Sequence, residues 1–215
     1  GFKAENPDVR LRTTTGSSGN FAAQIRHGAP FDLFLSADQR YPQALIDSGD
    51  AVAGTLTPYA VGRLALWTRR HDLDVSKGLM VLSSPDIRTF AIANPEHAPY
   101  GRAARAALEQ ANLWHPLAAK RVTSESIAQA LQFVQTGNAD VGIVALSLVM
   151  TPALAGQGRY AVLPLSSHPR LDQAAVLTHR ARNNPLAVRY LQWLRSAAAR
   201  TILDRNGFLL PASAP

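Results

Sequence analysis

Short apolar runs alternate with helix-like segments along almost the whole chain of 215 residues, and this alternation constrains the fold more than any other feature. Runs such as residues 63–69 and 140–146 have the length and branched residues of buried strands. Residues 101–112 instead repeat apolar side chains at helical spacing. This strand, helix, strand order predicts an α/β fold with largely parallel sheets.

The same patterns predict the individual elements. Strands are expected at residues 9–15, 32–37, 63–69, 89–93, 140–146, 160–165 and 174–180, and helices at residues 21–27, 101–112, 127–134 and 186–204, with a further helix that Asp38 caps and Gly49 ends. No low-complexity linker separates them. Two lobes would therefore be joined by crossing strands and not by a flexible tether.

Composition excludes several classes of function. Without any cysteine the chain has no disulfide, no thiolate nucleophile and no zinc–thiolate site. It has no apolar run of about 18 residues, so we expect no direct membrane insertion. The net charge is +7, but the arginines are scattered and not interleaved with aromatic residues. We therefore expect a small anion as the partner and no nucleic acid.

Three strand-to-helix junctions carry small, hydroxyl-bearing or turn-forming residues, namely residues 13–20, 94–101 and 123–127. The first N–H groups of a helix have no partner within it and carry partial positive charge, so they suit an anion without any Lys or Arg. Ser18 can add a hydroxyl donor between glycines that let the backbone approach closely. In any one junction, however, Ser or Thr more often only caps its helix. Three junctions at strand ends indicate a site for an anion or a small polar ligand.

Four stretches form motifs in a fixed order along the chain. They are residues 16–19 (Gly-Ser-Ser-Gly), residues 32–38, residues 92–101 and residues 140–146. Together they resemble the N-terminal signature, the second-lobe ligand loop and the late strand of the molybdate- and tungstate-binding proteins of bacterial ABC importers. The resemblance covers nearly the whole chain.

The resemblance implies a type II periplasmic-binding-protein fold, in which two α/β lobes each hold a mainly parallel sheet flanked by helices. Lobe I would comprise residues 1–80 and 166–215, and lobe II residues 81–165. The family begins with a strand and a helix that supply a further ligand, whereas this sequence opens just before the strand expected at Val9. We therefore expect lobe I to lack its first strand–helix unit and binding to be weakened or abolished.

In that family, hydroxyls and backbone N–H groups hold a bare tetrahedral oxyanion. By motif position, Ser18 would offer its hydroxyl and N–H, while Tyr100 and Ile127 would offer backbone N–H groups; Ser17 and Ser126 are secondary candidates. The resemblance implies no catalytic residue, no cofactor and no direct metal ligand. It implies molybdate or tungstate as ligand, a membrane permease as partner, and a periplasmic monomer.

Two other classes of function stay open at this point. An anion-handling transferase on a similar fold would need an acid or base, for which Glu125 is the best candidate among the titratable residues of these junctions, Glu96, His97 and Glu125. Their spacing matches no metal motif, and surface or hydrogen-bonding roles account for them better than acid–base or metal-binding roles. A ligand-sensing regulatory domain would need a fused DNA-binding segment.

Overall fold

The computed structural model describes residues 1–211, and the chain divides into two compact units. Unit 1 comprises Gly1–Val61 and Asp172–Pro215, and unit 2 comprises Gly62–Leu171. These bounds differ from the expected ones, which place the crossings near residues 80 and 166. Residues 64–68 belong to unit 2 because they form a strand that pairs with two other strands of that unit.

The strands are, in chain order, β1 (Leu33–Ser36), β2 (Thr57–Gly62), β3 (Leu64–Thr68), β4 (Phe90–Ala93), β5 (Arg121–Ser124), β6 (Val141–Ala145), β7 (Arg159–Val162) and β8 (Leu171–Leu177). The helices are α1 (Phe2–Glu5), α2 (Ser18–Arg26), α3 (Arg40–Asp47), α4 (Pro99–Gln110), α5 (Ile127–Gln135), α6 (Leu146–Val149), α7 (Pro185–Leu194) and α8 (Ala197–Arg205). None of these helices combines the length and apolar character that a membrane crossing needs.

Unit 1 is built on a three-stranded sheet in the order β1-β8-β2. Strand β8 lies antiparallel to β1, with Leu33 opposite Leu177. Its side chains alternate between two apolar clusters: Val176 packs with residues of α2 and α3, whereas Ala175 and Leu177 pack with residues of α7. Helices therefore cover both faces of this sheet, which leaves every residue of β8 except Asp172 buried.

Unit 2 contains a five-stranded sheet in the order β5-β4-β6-β3-β7. Strand β4 is parallel to β5 and β6, and β3 is antiparallel to β6 and β7. This sheet is thus mixed, and the β1–β8 pair of unit 1 is antiparallel, so the expectation of mainly parallel sheets is wrong. The parallel pairs arise where α4 and α5 connect successive strands as crossovers, whereas β3 and β7 lie outside that succession.

Three further element predictions are wrong in detail. Residues 9–15 form no strand, because a strand requires a paired backbone and the described chain places none beside them; Thr13–Thr15 instead line a groove with Phe21 and Phe31. Residues 186–204 form two helices instead of one, since Ser196 caps α8 by accepting the Ala199 amide at 3.2 Å. Strands β2 and β5 were absent from the sequence prediction.

Candidate functional site

The first predicted ligand residues lie at the start of α2 in unit 1. Ser17 is the N-cap, and its hydroxyl accepts the Asn20 amide at 3.4 Å. Ser18 is the first helical residue, so neither its amide nor that of Gly19 has an acceptor within the helix. Both serines are buried, with 5% and 7% of their surface exposed. The structure therefore assigns Ser17 to capping and leaves Ser18 as the candidate ligand.

The Ser18 hydroxyl also contacts the segment that follows β1. It accepts the backbone amide of Ala37 at 3.1 Å. Because a hydroxyl has one hydrogen in addition to its lone pairs, this bond leaves the hydrogen of Ser18 available to donate to an anion. The Ala37 amide fixes the rotamer of Ser18 and adds another N–H dipole to the same place.

A carboxylate lies close to this segment, and an ion pair offsets its charge. Arg40 donates to both oxygens of Asp38, with Nη2 to Oδ2 at 2.6 Å and Nε to Oδ1 at 3.1 Å. Hydrogen bonding and Coulomb attraction to Asp38 raise the pKa of Arg40, so the guanidinium keeps its charge. The negative charge of Asp38 is therefore compensated within the chain, which favours an anion at the neighbouring helix start.

In unit 2, two helices begin at the same edge of the sheet. Strands β4 and β5 are parallel, with Ala93 opposite Ser124, so their carboxyl ends coincide. The Asn94 amide donates to the Ser124 carbonyl at 2.7 Å and continues this pairing past the strands. Helix α4 follows β4 and helix α5 follows β5, so the starts of both helices lie at this edge. This edge is the usual position of ligands in open α/β sheets.

The start of α4 is shaped by its proline and glycine. Pro99 occupies the first helical position and has no N–H, which makes Tyr100 the first amide donor of the helix. Tyr100 is buried, with 6% of its surface exposed. A Cβ atom on Gly101 would lie 2.3 Å from the Ala93 carbonyl oxygen, so only glycine allows the helix to pack this closely on the end of β4.

The start of α5 is fixed by two serines. The Ser126 hydroxyl accepts the Gln129 amide at 3.3 Å and caps the helix. The buried Ser124 hydroxyl lies within hydrogen-bond distance of two carbonyl oxygens, Ile92 at 3.1 Å and Ser126 at 2.9 Å. Ile127 is the first helical residue, so its amide has no acceptor within the helix. Ser126 therefore acts as a cap, and Ile127 offers the donor.

Two titratable residues of the unit 2 junctions, His97 and Glu125, lie in contact. The Glu125 side chain is 73% exposed, and its Oε2 lies 3.2 Å from His97 Nε2. Within residues 1–211, no group of three or more His, Cys, Asp or Glu side chains is arranged to hold a metal ion.

The predicted residues thus divide between the units. Tyr100 and Ile127 lie at one sheet edge of unit 2, and Ser18 lies at the start of α2 in unit 1. Sequence reasoning missed the Ala37 amide and the structural role of Ser124. A backbone amide leaves no mark in a sequence, whereas Ser124 could have been noticed as a serine at the end of a strand.

Comparison with known proteins gives concordant results. The family model described as bacterial extracellular solute-binding protein matches residues 1–209. The molybdate-binding protein ModA of Azotobacter vinelandii is 37% identical over 199 residues, which are 93% of this chain and 79% of that protein. The ModA protein of Rhodobacter capsulatus is 37% identical over 194 residues, 90% of this chain and 75% of its own length. The solved structure of the A. vinelandii periplasmic molybdate-binding protein superimposes with a TM-score of 0.91 at 33% identity, covering 97% of this chain and 91% of that one.

Proposed function

Because this chain belongs to the bacterial extracellular solute-binding proteins, and among them to the molybdate-binding proteins, we propose that it is the substrate-binding component of a molybdate ABC transporter. The superposition on a periplasmic molybdate-binding protein also confirms the periplasmic-binding-protein fold expected from the sequence. The single observation that carries the proposal is the pair of helix starts at one edge of the unit 2 sheet. Helix starts bind anions through dipoles and N–H groups without a neutralising cation.

The proposed ligands are donors from both units. Ser18 of unit 1 gives its hydroxyl and amide, and Tyr100 and Ile127 of unit 2 give their amides. Ser17 and Ser126 would support the site as caps and would not touch the ligand. Two observations support these proposed roles. They are the hydrogen bonds of the Ser17, Ser18 and Ser126 hydroxyls and the positions of Tyr100 and Ile127 at helix starts.

Tungstate belongs to the same proposal, because it is a tetrahedral dianion with the same hydrogen-bond requirements. Sulfate is smaller and would not reach every donor at hydrogen-bond distance. Phosphate carries a proton near neutral pH, and a site made only of donors gives that proton no acceptor. We propose that the protein is a periplasmic monomer that performs no covalent chemistry and delivers its ligand to a membrane permease.

Calorimetric titration with molybdate, tungstate, sulfate and phosphate tests the proposal. We expect the first two anions to bind and to raise the free energy of unfolding by about 2.7 kcal/mol at a ligand concentration 100 times Kd. Sulfate that displaced molybdate at similar concentration would contradict the selectivity argument.

The ligand role of Ser18 can be tested by Ser18→Ala. The change removes a donor to a charged ligand and the acceptor of the Ala37 amide, so Kd for molybdate should rise about 10- to 100-fold. The matched control is Ser196→Ala, which removes a helix cap in the same unit and should leave Kd unchanged. Equal Kd values for the wild-type protein and Ser18→Ala would remove Ser18 from the site.

A further inference from the structure

Two loops of unit 2 carry the proposed amide donors, and a side-chain ion pair joins them. His97 lies in the loop between β4 and α4, three residues before Tyr100, and Glu125 lies in the loop between β5 and α5, two residues before Ile127. His97 Nε2 is 3.2 Å from Glu125 Oε2. We infer that His97 and Glu125 are positioning residues that fix the spacing of the Tyr100 and Ile127 amides. This inference rests on the proposed function.

Other contacts hold each loop to itself. The Asn94 side chain accepts the Glu96 amide at 3.0 Å, and the Asn94 carbonyl accepts the Ala98 amide at 2.9 Å. In the second loop, the Glu125 amide donates to the side chain of Gln129 at 2.7 Å. These bonds shape the loops separately. The Asn94 amide joins the first loop to the end of β5 through the Ser124 carbonyl, and the contact of His97 with Glu125 adds a side-chain connection further along both loops.

The charge on the pair matters as much as its position. The His97 side chain is 22% exposed, and its Nε2 lies 3.2 Å from Glu125 Oε2. The contact is an ion pair only when the imidazole ring is protonated. In that state the ring offsets the Glu125 carboxylate, which otherwise repels an anion bound near Ile127.

Variants of Glu125 separate these two effects. Glu125→Gln keeps the side-chain length and removes the charge, so Kd for molybdate should rise only about two- to fivefold, as expected for an exposed ion pair. Glu125→Asp keeps the charge but is one methylene shorter and loses the contact. It should therefore weaken binding more than Glu125→Gln does.

His97→Gln should behave like Glu125→Asp, because it removes the imidazole ring that contacts the Glu125 carboxylate. The double variant His97→Gln/Glu125→Gln should bind molybdate more tightly than His97→Gln alone. A purely structural role would not produce this rescue. Glu109→Gln is the matched control, since it breaks the exposed pair between Arg105 and Glu109 on α4 of the same unit and should leave Kd unchanged.

Titration calorimetry gives the affinities, and amide chemical shifts of Tyr100 and Ile127 in the ligand-free protein give a second readout. We expect Glu125→Asp to move both shifts and Glu109→Gln to move neither. If the wild-type protein bound no molybdate, the proposed function would fail, and the shifts would still decide whether the tie exists. Tighter binding by Glu125→Gln with unchanged binding by Glu125→Asp would overturn the inference, as would unchanged shifts in Glu125→Asp.

Discussion

The two edges of the unit 2 sheet differ in their charge: one holds a carboxylate of the chain itself, and the other presents amide donors. At the amino ends of β4 and β6, the Asp140 carboxylate accepts the amides of Arg88 at 2.8 Å and Thr89 at 3.1 Å, and Arg70 Nη1 at 3.3 Å. At the carboxyl ends of β4 and β5, the donors are the first amides of α4 and α5, which no helix carbonyl can accept. One edge contains its own anion, and the other is proposed to bind one from solution.

This difference separates stability from binding. The Asp140 carboxylate is a permanent part of the fold, and its side chain is only 12% exposed, so the bonds it accepts stabilise every folded molecule. An exchangeable anion contributes only in proportion to its occupancy. Changes at the first edge should therefore lower the free energy of unfolding, and changes at the second should alter affinity.

Gly101→Ala should lower both the free energy of unfolding and the affinity for molybdate. The added Cβ would lie 2.3 Å from the Ala93 carbonyl oxygen and 2.7 Å from the Asn94 carbonyl carbon, so α4 must move away from β4. We expect a loss of about 3 kcal/mol in the free energy of unfolding together with loss of molybdate binding. Denaturant unfolding and calorimetry measure the two effects.

The control for this substitution is Glu109→Ala, an exposed position on the same helix, which should change stability by about 0.5 kcal/mol or less. Wild-type stability in Gly101→Ala would show that the helix does not need its close approach to the strand.

Asp140→Ala should lower the free energy of unfolding and leave the affinity for molybdate unchanged. It leaves the Arg88 and Thr89 amides without their acceptor and Arg70 without one of its partners, so unfolding should become about 2–3 kcal/mol easier. Kd for molybdate should remain unchanged. Asp72→Ala, which breaks an exposed ion pair of the same Arg70, should lower the free energy of unfolding far less. A weaker affinity in Asp140→Ala than in Asp72→Ala would mean that the edges are coupled.

The contribution of Asp140 to the free energy of unfolding should depend on pH. Burial tends to raise the pKa of Asp140, but hydrogen bonds from the Thr89 and Arg88 amides and from Arg70 outweigh it and lower the pKa. A carboxyl whose pKa is lower in the folded state stabilises the fold above its unfolded pKa of about 3.9 and loses this effect as the pH falls through the folded value. The unfolding free energy of Asp140→Asn should therefore decrease less steeply in acid than that of the wild-type protein.

Much of the second edge could be predicted from sequence, because helix starts have local signals. The capping serine and the apolar spacing place α5 within a residue or so, and the buried runs place β3, β4 and β6. Strand β5 has only four residues, of which just Ser124 is buried, so its pattern is too short to recognise. Residues 9–15 have a strand-like sequence, but pairing depends on a neighbour that local sequence does not encode.

The candidate site shows the same limit. The resemblance gave Ser18, Tyr100 and Ile127 as candidates by motif position, whereas the contact of Ser18 with the Ala37 amide depends on how β1 packs beside α2. The expected lobe bounds differ from the two units for a related reason: the sequence of β3 fits an apolar strand in either unit, and only its pairing with β6 and β7 assigns it. Local sequence specifies elements, and long-range pairing specifies their neighbours.

Ser126→Asp should have the smallest effect on stability and still change binding. Asp caps helices as well as Ser does, and its charge is favourable at the start of α5, so the unfolding free energy should stay within about 0.5 kcal/mol of the wild-type value. The same carboxylate would occupy the positive potential that we propose for the oxyanion, so Kd for molybdate should rise about tenfold or more. Ser196→Asp places an equal charge at the start of α8 and should leave Kd unchanged. Unchanged affinity in both variants would show that the start of α5 does not bind the anion, because a carboxylate fixed at its N-cap would have to compete with any dianion held there.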